Sequence, residues 1–161
     1  MQSENSVNEQ TSNSTNNSIN NSKVRILVAE DETIIRLDLI EMLTEAGYEV
    51  VAHAENGAVA IEMAKLHKPD LAILDVKMPL VDGITAAQEI IEIAPVLMLT
   101  AFSQRELVER ARDAGVMAYV VKPFSINDLI PAIEIATSRH RQMKSLPVSY
   151  THLTLPTKRI V

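Results

Sequence analysis

Four apolar residues, Leu71-Ala72-Ile73-Leu74, run without interruption into Asp75. An apolar run of strand length with no polar alternation is the pattern of a parallel strand covered on both faces. A sheet of that kind needs helices above and below it, which restricts the chain to an α/β architecture. The pattern recurs at Val96-Leu97-Met98-Leu99, which ends at Thr100, and at Val24 to Ala29, which ends at Glu30-Asp31. Open α/β sheets place their chemistry at the C-terminal ends of their strands. The residues that close these runs are therefore the candidates for function.

Helical periodicity fills the intervals. From Thr33, the residues Ile35, Leu39, Met42, Leu43 and Ala46 share one helical face. Tyr48 to Ala54 reads as a second strand. Asn56-Gly57 reads as a turn, with a helix from Ala58 to about His67. Asp82-Gly83 opens a helix whose Ile84, Ala87, Ile90 and Ile91 face inward. Ser103 or Gln104 starts a charged helix to about Ala114. Ala118 to Val121 is a last strand, ending at Lys122-Pro123. The final helix carries Leu129, Ile130, Ile133 and Ala136; a cap at Asn127 or Asp128 would place Pro131 in or just after its first turn. Five strand–helix units in strict alternation predict a doubly wound, five-stranded parallel sheet. Aromatic residues make up only 3% of the chain against a hydrophobic share of 47%, so Ile, Leu, Val, Ala and Met must fill the core.

The ends differ in character. Residues 1–22 are almost wholly Ser, Asn, Thr, Gln and Glu, too polar to offset the entropy of ordering, and are expected to be disordered. One domain is expected over 23–145. Residues 146–161 continue no period. Val148 to Thr157 resembles one reading frame of a transposon-end adapter used in sequencing libraries. This tail is therefore expected to be non-native or disordered, with the natural chain continuing differently after about Ser145. The net charge of −6 argues against nucleic-acid binding by the folded part, and the absence of cysteine excludes disulfides and thiolate metal sites. No apolar run reaches membrane-spanning length and the N-terminus lacks a signal-peptide layout, which together predict a cytoplasmic protein.

Side by side at one sheet edge, Glu30, Asp31 and Asp75 would form a carboxylate cluster. Like charges this close raise one another's pKa unless a cation joins them. Oxygen-only ligands suit a hard divalent ion, Mg²⁺ or Mn²⁺. Lys122 adds a point charge and Thr100 a hydroxyl. An aspartate in such company can accept a phosphoryl group, because each transferred oxygen finds a positive or hydrogen-bonding partner.

Five pieces of sequence carry a resemblance at this point. They are Val28-Ala29-Glu30-Asp31-Glu32, Leu74-Asp75-Val76-Lys77-Met78-Pro79, Asp82-Gly83, Leu99-Thr100-Ala101 and Lys122-Pro123-Phe124. Together, in this order, they make residues 23–144 similar to the response-regulator receiver domains of bacterial two-component signalling. The resemblance implies a flavodoxin-like (βα)5 fold with strand order 2-1-3-4-5. It implies that Asp75 takes a phosphoryl group from a sensor histidine kinase. It implies Mg²⁺ held by Asp31, Asp75 and the backbone carbonyl of Lys77, with Glu30 acting mostly through water. Lys122 would pair with Asp75 and then with the phosphoryl group, and the Lys122–Pro123 bond is usually cis in such domains. Thr100 and Tyr119 would form the switch pair, and Phe102 and Lys77 would flank the site and tune hydrolysis. Phosphorylation adds about −1.5 to −2 charges. Thr100 would swing toward them, Tyr119 would take the vacated space, and the surface of the fourth helix and fifth strand would change. That surface could also serve a homodimer.

The stretches Leu99 to Gly115 and Lys122 to Glu134 further resemble regulators whose receiver is followed by an RNA-binding antiterminator domain. RNA would then be contacted only by an output domain outside this chain, with no DNA or membrane contact by the receiver. Two competing readings are weaker. An aspartate-nucleophile phosphatase of the haloacid-dehalogenase type needs a second acid two residues on, where Lys77 stands. A receiver used only for docking usually lacks an acid or the lysine, and all are present here. Neither a P-loop nor a G-x-G-x-x-G is present for a nucleotide, and the four histidines show no ligand spacing.

Overall fold

The computed structural model describes residues 22–101 and 105–145. Strands β1 (Arg25–Ala29), β2 (Glu49–Ala54), β3 (Leu71–Asp75), β4 (Val96–Ala101) and β5 (Ala118–Lys122) alternate with helices α1 (Thr33–Glu45), α2 (Gly57–His67), α3 (Gly83–Ile90), α4 (Arg105–Asp113) and α5 (Ile126–Ser145). The strands form one sheet in the order β2-β1-β3-β4-β5, with every pairing parallel. The expected order and alternation are both present. The tails at 1–21 and 146–161, where disorder and an adapter-like segment were expected, lie outside the described residues, as do Ser103 and Gln104.

Strand alternation divides the apolar side chains between two cores. Ile26, Val28, Leu71, Ile73, Leu97 and Leu99 meet Leu39 and Leu43 of α1 and Leu129, Ile133 and Ala136 of α5. Leu27, Ala29, Ala72, Leu74, Val96 and Met98 meet Ala60 and Ala64 of α2, Ile84 to Ile90 of α3, and Ala111 of α4. Both faces of β3 are thus covered, which is why its sequence shows no alternation.

The edge where the strands begin is pinned by Arg25. Its amide donates to the Asp70 carboxylate at 2.9 Å, and its guanidinium donates to the carbonyls of His67 and Lys68 at the end of α2. At the same edge Arg139 of α5 donates to the Met117 carbonyl, 3.3 Å away, just before β5.

Three local readings need correction. Asn56-Gly57 is not a turn before the helix but its first step: the Asn56 side chain accepts from the Val59 amide at 2.9 Å and caps α2, which starts at Gly57. The inward stripe of α1 is Arg36, Leu39 and Leu43, while Ala46 is exposed and caps the C-terminus. Helix α5 starts at Ile126, earlier than a cap at Asn127 or Asp128 allows. Asp128 instead turns back, accepting from the Ser125 amide at 2.9 Å and the Ser125 hydroxyl at 3.2 Å, which fixes the helix start at Ser125. Pro131 is therefore inside the helix rather than in its first turn.

Candidate functional site

The chain leaves β1 toward β2 on one side and, from β3 on, builds toward β4 and β5 on the other. The crevice at the C-terminal ends of β1 and β3 is the point where that direction reverses, the usual place for a site in such a sheet. Glu30 follows β1, Asp75 ends β3 and Lys122 ends β5. Lys122 Nζ lies 2.5 Å from Asp75 Oδ2 and 3.1 Å from Glu30 Oε2. The lysine spans β4 to reach both acids. Its peptide bond to Pro123 is cis.

Glu30, Asp31 and Asp75 offer carboxylate oxygens that all lie within 4.8 Å of one another; Glu30 and Asp75 are buried and Asp31 is exposed. Two oxygens on one Mg²⁺ at about 2.1 Å are at most about 4.2 Å apart. Little movement separates this cluster from a ligand set, so the residues present fit a hard divalent ion. Burial, and then the neighbouring Asp75, push the Glu30 carboxyl up to about 8, against the opposing pull of Lys122. Burial also acts to lower the Lys122 pKa, but the hydrogen bonds and charges of Asp75 and Glu30 outweigh it and leave it raised.

The loop after β3 is tightly built. The Lys77 amide donates to Asp75 Oδ1 at 3.1 Å, placing the Lys77 peptide beside the carboxylate. Gly83 opens α3 so close to β3 that a Cβ there would stand 2.0 Å from the Asp75 carbonyl oxygen. A Cβ on Gly57 would stand 2.1 Å from the Val81 carbonyl oxygen. The two helix starts thus clamp the loop between them. Within it, Val81 donates to the Pro79 carbonyl at 2.9 Å, closing a three-residue turn around Leu80. Leu80 has φ +67, a strained value for a leucine.

Glu30, Asp31, Asp75 and Lys122 are thus brought together. Thr100 is buried on β4, but alternation puts it on the side of Val96 and Met98 rather than of Leu99, the residue level with Asp75. Tyr119 pairs with Met98 and lies on that same side, two residue pairs from Thr100, which is level with Val121. It is 52% exposed, so it is not a core tyrosine. Phe102 lies outside the described residues. Sequence reasoning missed Arg36, which is buried on α1 and donates to the Glu30 carbonyl at 2.7 Å. Its spacing from Leu39 and Leu43, three and seven residues, was the available signal.

Comparison with known proteins agrees with this geometry. Residues 26–134 match the family described as the response regulator receiver domain. The chain is 61% identical over 141 residues to the transcriptional regulatory protein PdtaR of Mycobacterium tuberculosis, covering 85% of this chain and 69% of that protein. It is 43% identical over 112 residues to the chemotaxis protein CheY of Bacillus subtilis, covering 68% of this chain and 93% of the relative. Among solved structures, the CheX–CheY–BeF3–Mg complex from Borrelia burgdorferi is similar with a TM-score of 0.65 and 27% identity, over 69% of this chain and 87% of that one. No helix among the described residues is long and apolar enough to cross a membrane. The sheet order, the strand-end acids with their lysine, and the family match agree: this chain belongs to the response-regulator receiver-domain family, a family of signalling modules rather than conventional enzymes.

Proposed function

We propose that the domain, residues 23–145, is a phosphorylation-dependent switch with Asp75 as phosphoacceptor. The observation that carries this reading is the set of three carboxylates facing one lysine at the C-terminal edge of the sheet. An Asp75 carboxylate oxygen attacks phosphorus, the new O–P bond forms as the P–N bond of a phosphohistidine breaks, and the departing imidazole takes up a proton. Lys122 then follows the transferred oxygens. Mg²⁺, held by Asp31, Asp75 and the Lys77 carbonyl with Glu30 assisting through water, would neutralise charge on the phosphoryl group. Thr100 and Tyr119, neighbours on one sheet face, are the switch pair, and their movement remodels the α4–β5 surface. A shift of this kind needs only a few kcal/mol of differential stabilisation.

The phosphodonor is a sensor histidine kinase, in the cytoplasm. The similarity to PdtaR supports a transcriptional regulator. Its output, in this reading, is antitermination through RNA by a domain other than residues 23–145, and a homodimer is a further partner. The test is incubation with Mg²⁺ and acetyl phosphate followed by intact-mass measurement. One phosphate adduct is expected, absent in Asp75→Asn and in excess EDTA. An adduct that persists in Asp75→Asn, or none in the wild type, refutes the assignment.

A further inference from the structure

Arg36 is 8% exposed, on the inward stripe of α1 with Leu39 and Leu43. A long charged side chain is rarely buried this deeply without a partner of opposite charge. Among the described residues, the ion pairs are those of Lys122; no carboxylate pairs with Arg36. Its Nε is buried with no hydrogen-bond partner. It stands in the first turns of α1, where the helix dipole disfavours a cation and no acidic residue occupies the first turn. A leucine or methionine on the same stripe would carry none of these costs, but it would leave the Glu30 carbonyl without this donor.

What it does hold is the carbonyl of Glu30, through Nη1 at 2.7 Å. That carbonyl belongs to the peptide joining Glu30 to Asp31. In an extended chain, consecutive side chains point to opposite faces. Here the carboxylates of two consecutive residues come within 4.8 Å of each other and of Asp75. The backbone must turn at this peptide, and its surroundings fix how. The Glu30 amide donates to the Ala54 carbonyl of β2 at 3.0 Å, and Arg36 takes the carbonyl on the other side.

We propose that Arg36 is a positioning residue for the divalent-ion site: by fixing the Glu30–Asp31 peptide it aims both carboxylates at Asp75. This rests on the metal-dependent phosphoacceptor reading above. Residues that orient ligands from behind typically change metal affinity about 10–100-fold when lost.

The test uses the full chain, with Mn²⁺ as the probe and free Mn²⁺ followed by electron paramagnetic resonance. R36M is expected to weaken Mn²⁺ binding at least about tenfold, with R36K recovering most of the loss because its ammonium can donate to the same carbonyl. At saturating metal, the rate of phosphorylation of R36M by acetyl phosphate is expected to return to near the wild-type value. L39A, which damages the same stripe, is expected to lower the melting temperature while leaving Mn²⁺ affinity unchanged. R36M within twofold of wild type, or L39A weakening Mn²⁺ as much as R36M, overturns the proposal. Should R36M not fold, R36Q, polar but too short to reach, replaces it with the same criteria. A wild type that binds Mn²⁺ and accepts phosphate while R36M matches it refutes only the role of Arg36; a wild type that does neither refutes the reading beneath it.

Discussion

Strands β3 and β5 each send one charged residue to the same pocket, yet they are built differently. All five residues of β3 are buried, between β1 and β4 and between two helical layers. On β5, at the sheet margin, only Val120 is buried, and Tyr119 and Val121 are exposed. Asp75 is thus set among wholly buried neighbours and Lys122 on a half-open strand at the sheet margin. The ion pair between them joins the interior of the sheet to its margin.

The contrast can be broken most severely at Gly83. Gly83→Ala forces a Cβ against the Asp75 backbone carbonyl, which cannot swing aside as a side chain could, and we expect a loss above about 4 kcal/mol or failure to fold, read by urea unfolding. Next is Ile73→Ala on β3, expected to cost about 2–5 kcal/mol by thermal melting. A third effect is a pH dependence. A Glu30 carboxyl whose folded pKa is about 8 binds its proton more tightly in the folded than in the unfolded protein. Its contribution to stability is fully present below about pH 4.5 and is lost as pH rises through about 8. In EDTA, the wild-type melting temperature should therefore fall from pH 5 to pH 8, and Glu30→Gln should flatten that fall; an unchanged slope would remove Glu30 as its cause. The smallest effect is Tyr119→Ala, expected within about 0.5–1 kcal/mol of wild type because much of the ring is already in solvent. Equal losses for Ile73→Ala and Tyr119→Ala would erase the distinction between the two strands.

Much of this was legible in the chain because burial on both faces leaves an unmistakable mark. Leu71 to Leu74 could hardly be anything but a central strand, and once the strands were placed, Glu30, Asp31, Asp75 and Lys122 fell at one edge by topology alone. Arg36 escaped because arginine carries a surface expectation, although its spacing from Leu39 marked it as inward. The start of α5 escaped because Asp128 reads as a cap from sequence, when it instead reaches back from inside the first turn to Ser125. The exposure of Tyr119 goes with the place of β5 at the margin of the sheet, and no local pattern encodes that place.

The hydrogen bonds of Arg25 and Arg139 have a practical consequence. Both lie at the edge where the strands begin, so the described chain enters and leaves the domain from the side opposite the pocket. The domain can be anchored to a surface, or given a dye, at either end of residues 22–145 with the carboxylates left facing outward. Immobilisation through either end is then a natural format for watching a phosphodonor arrive and leave.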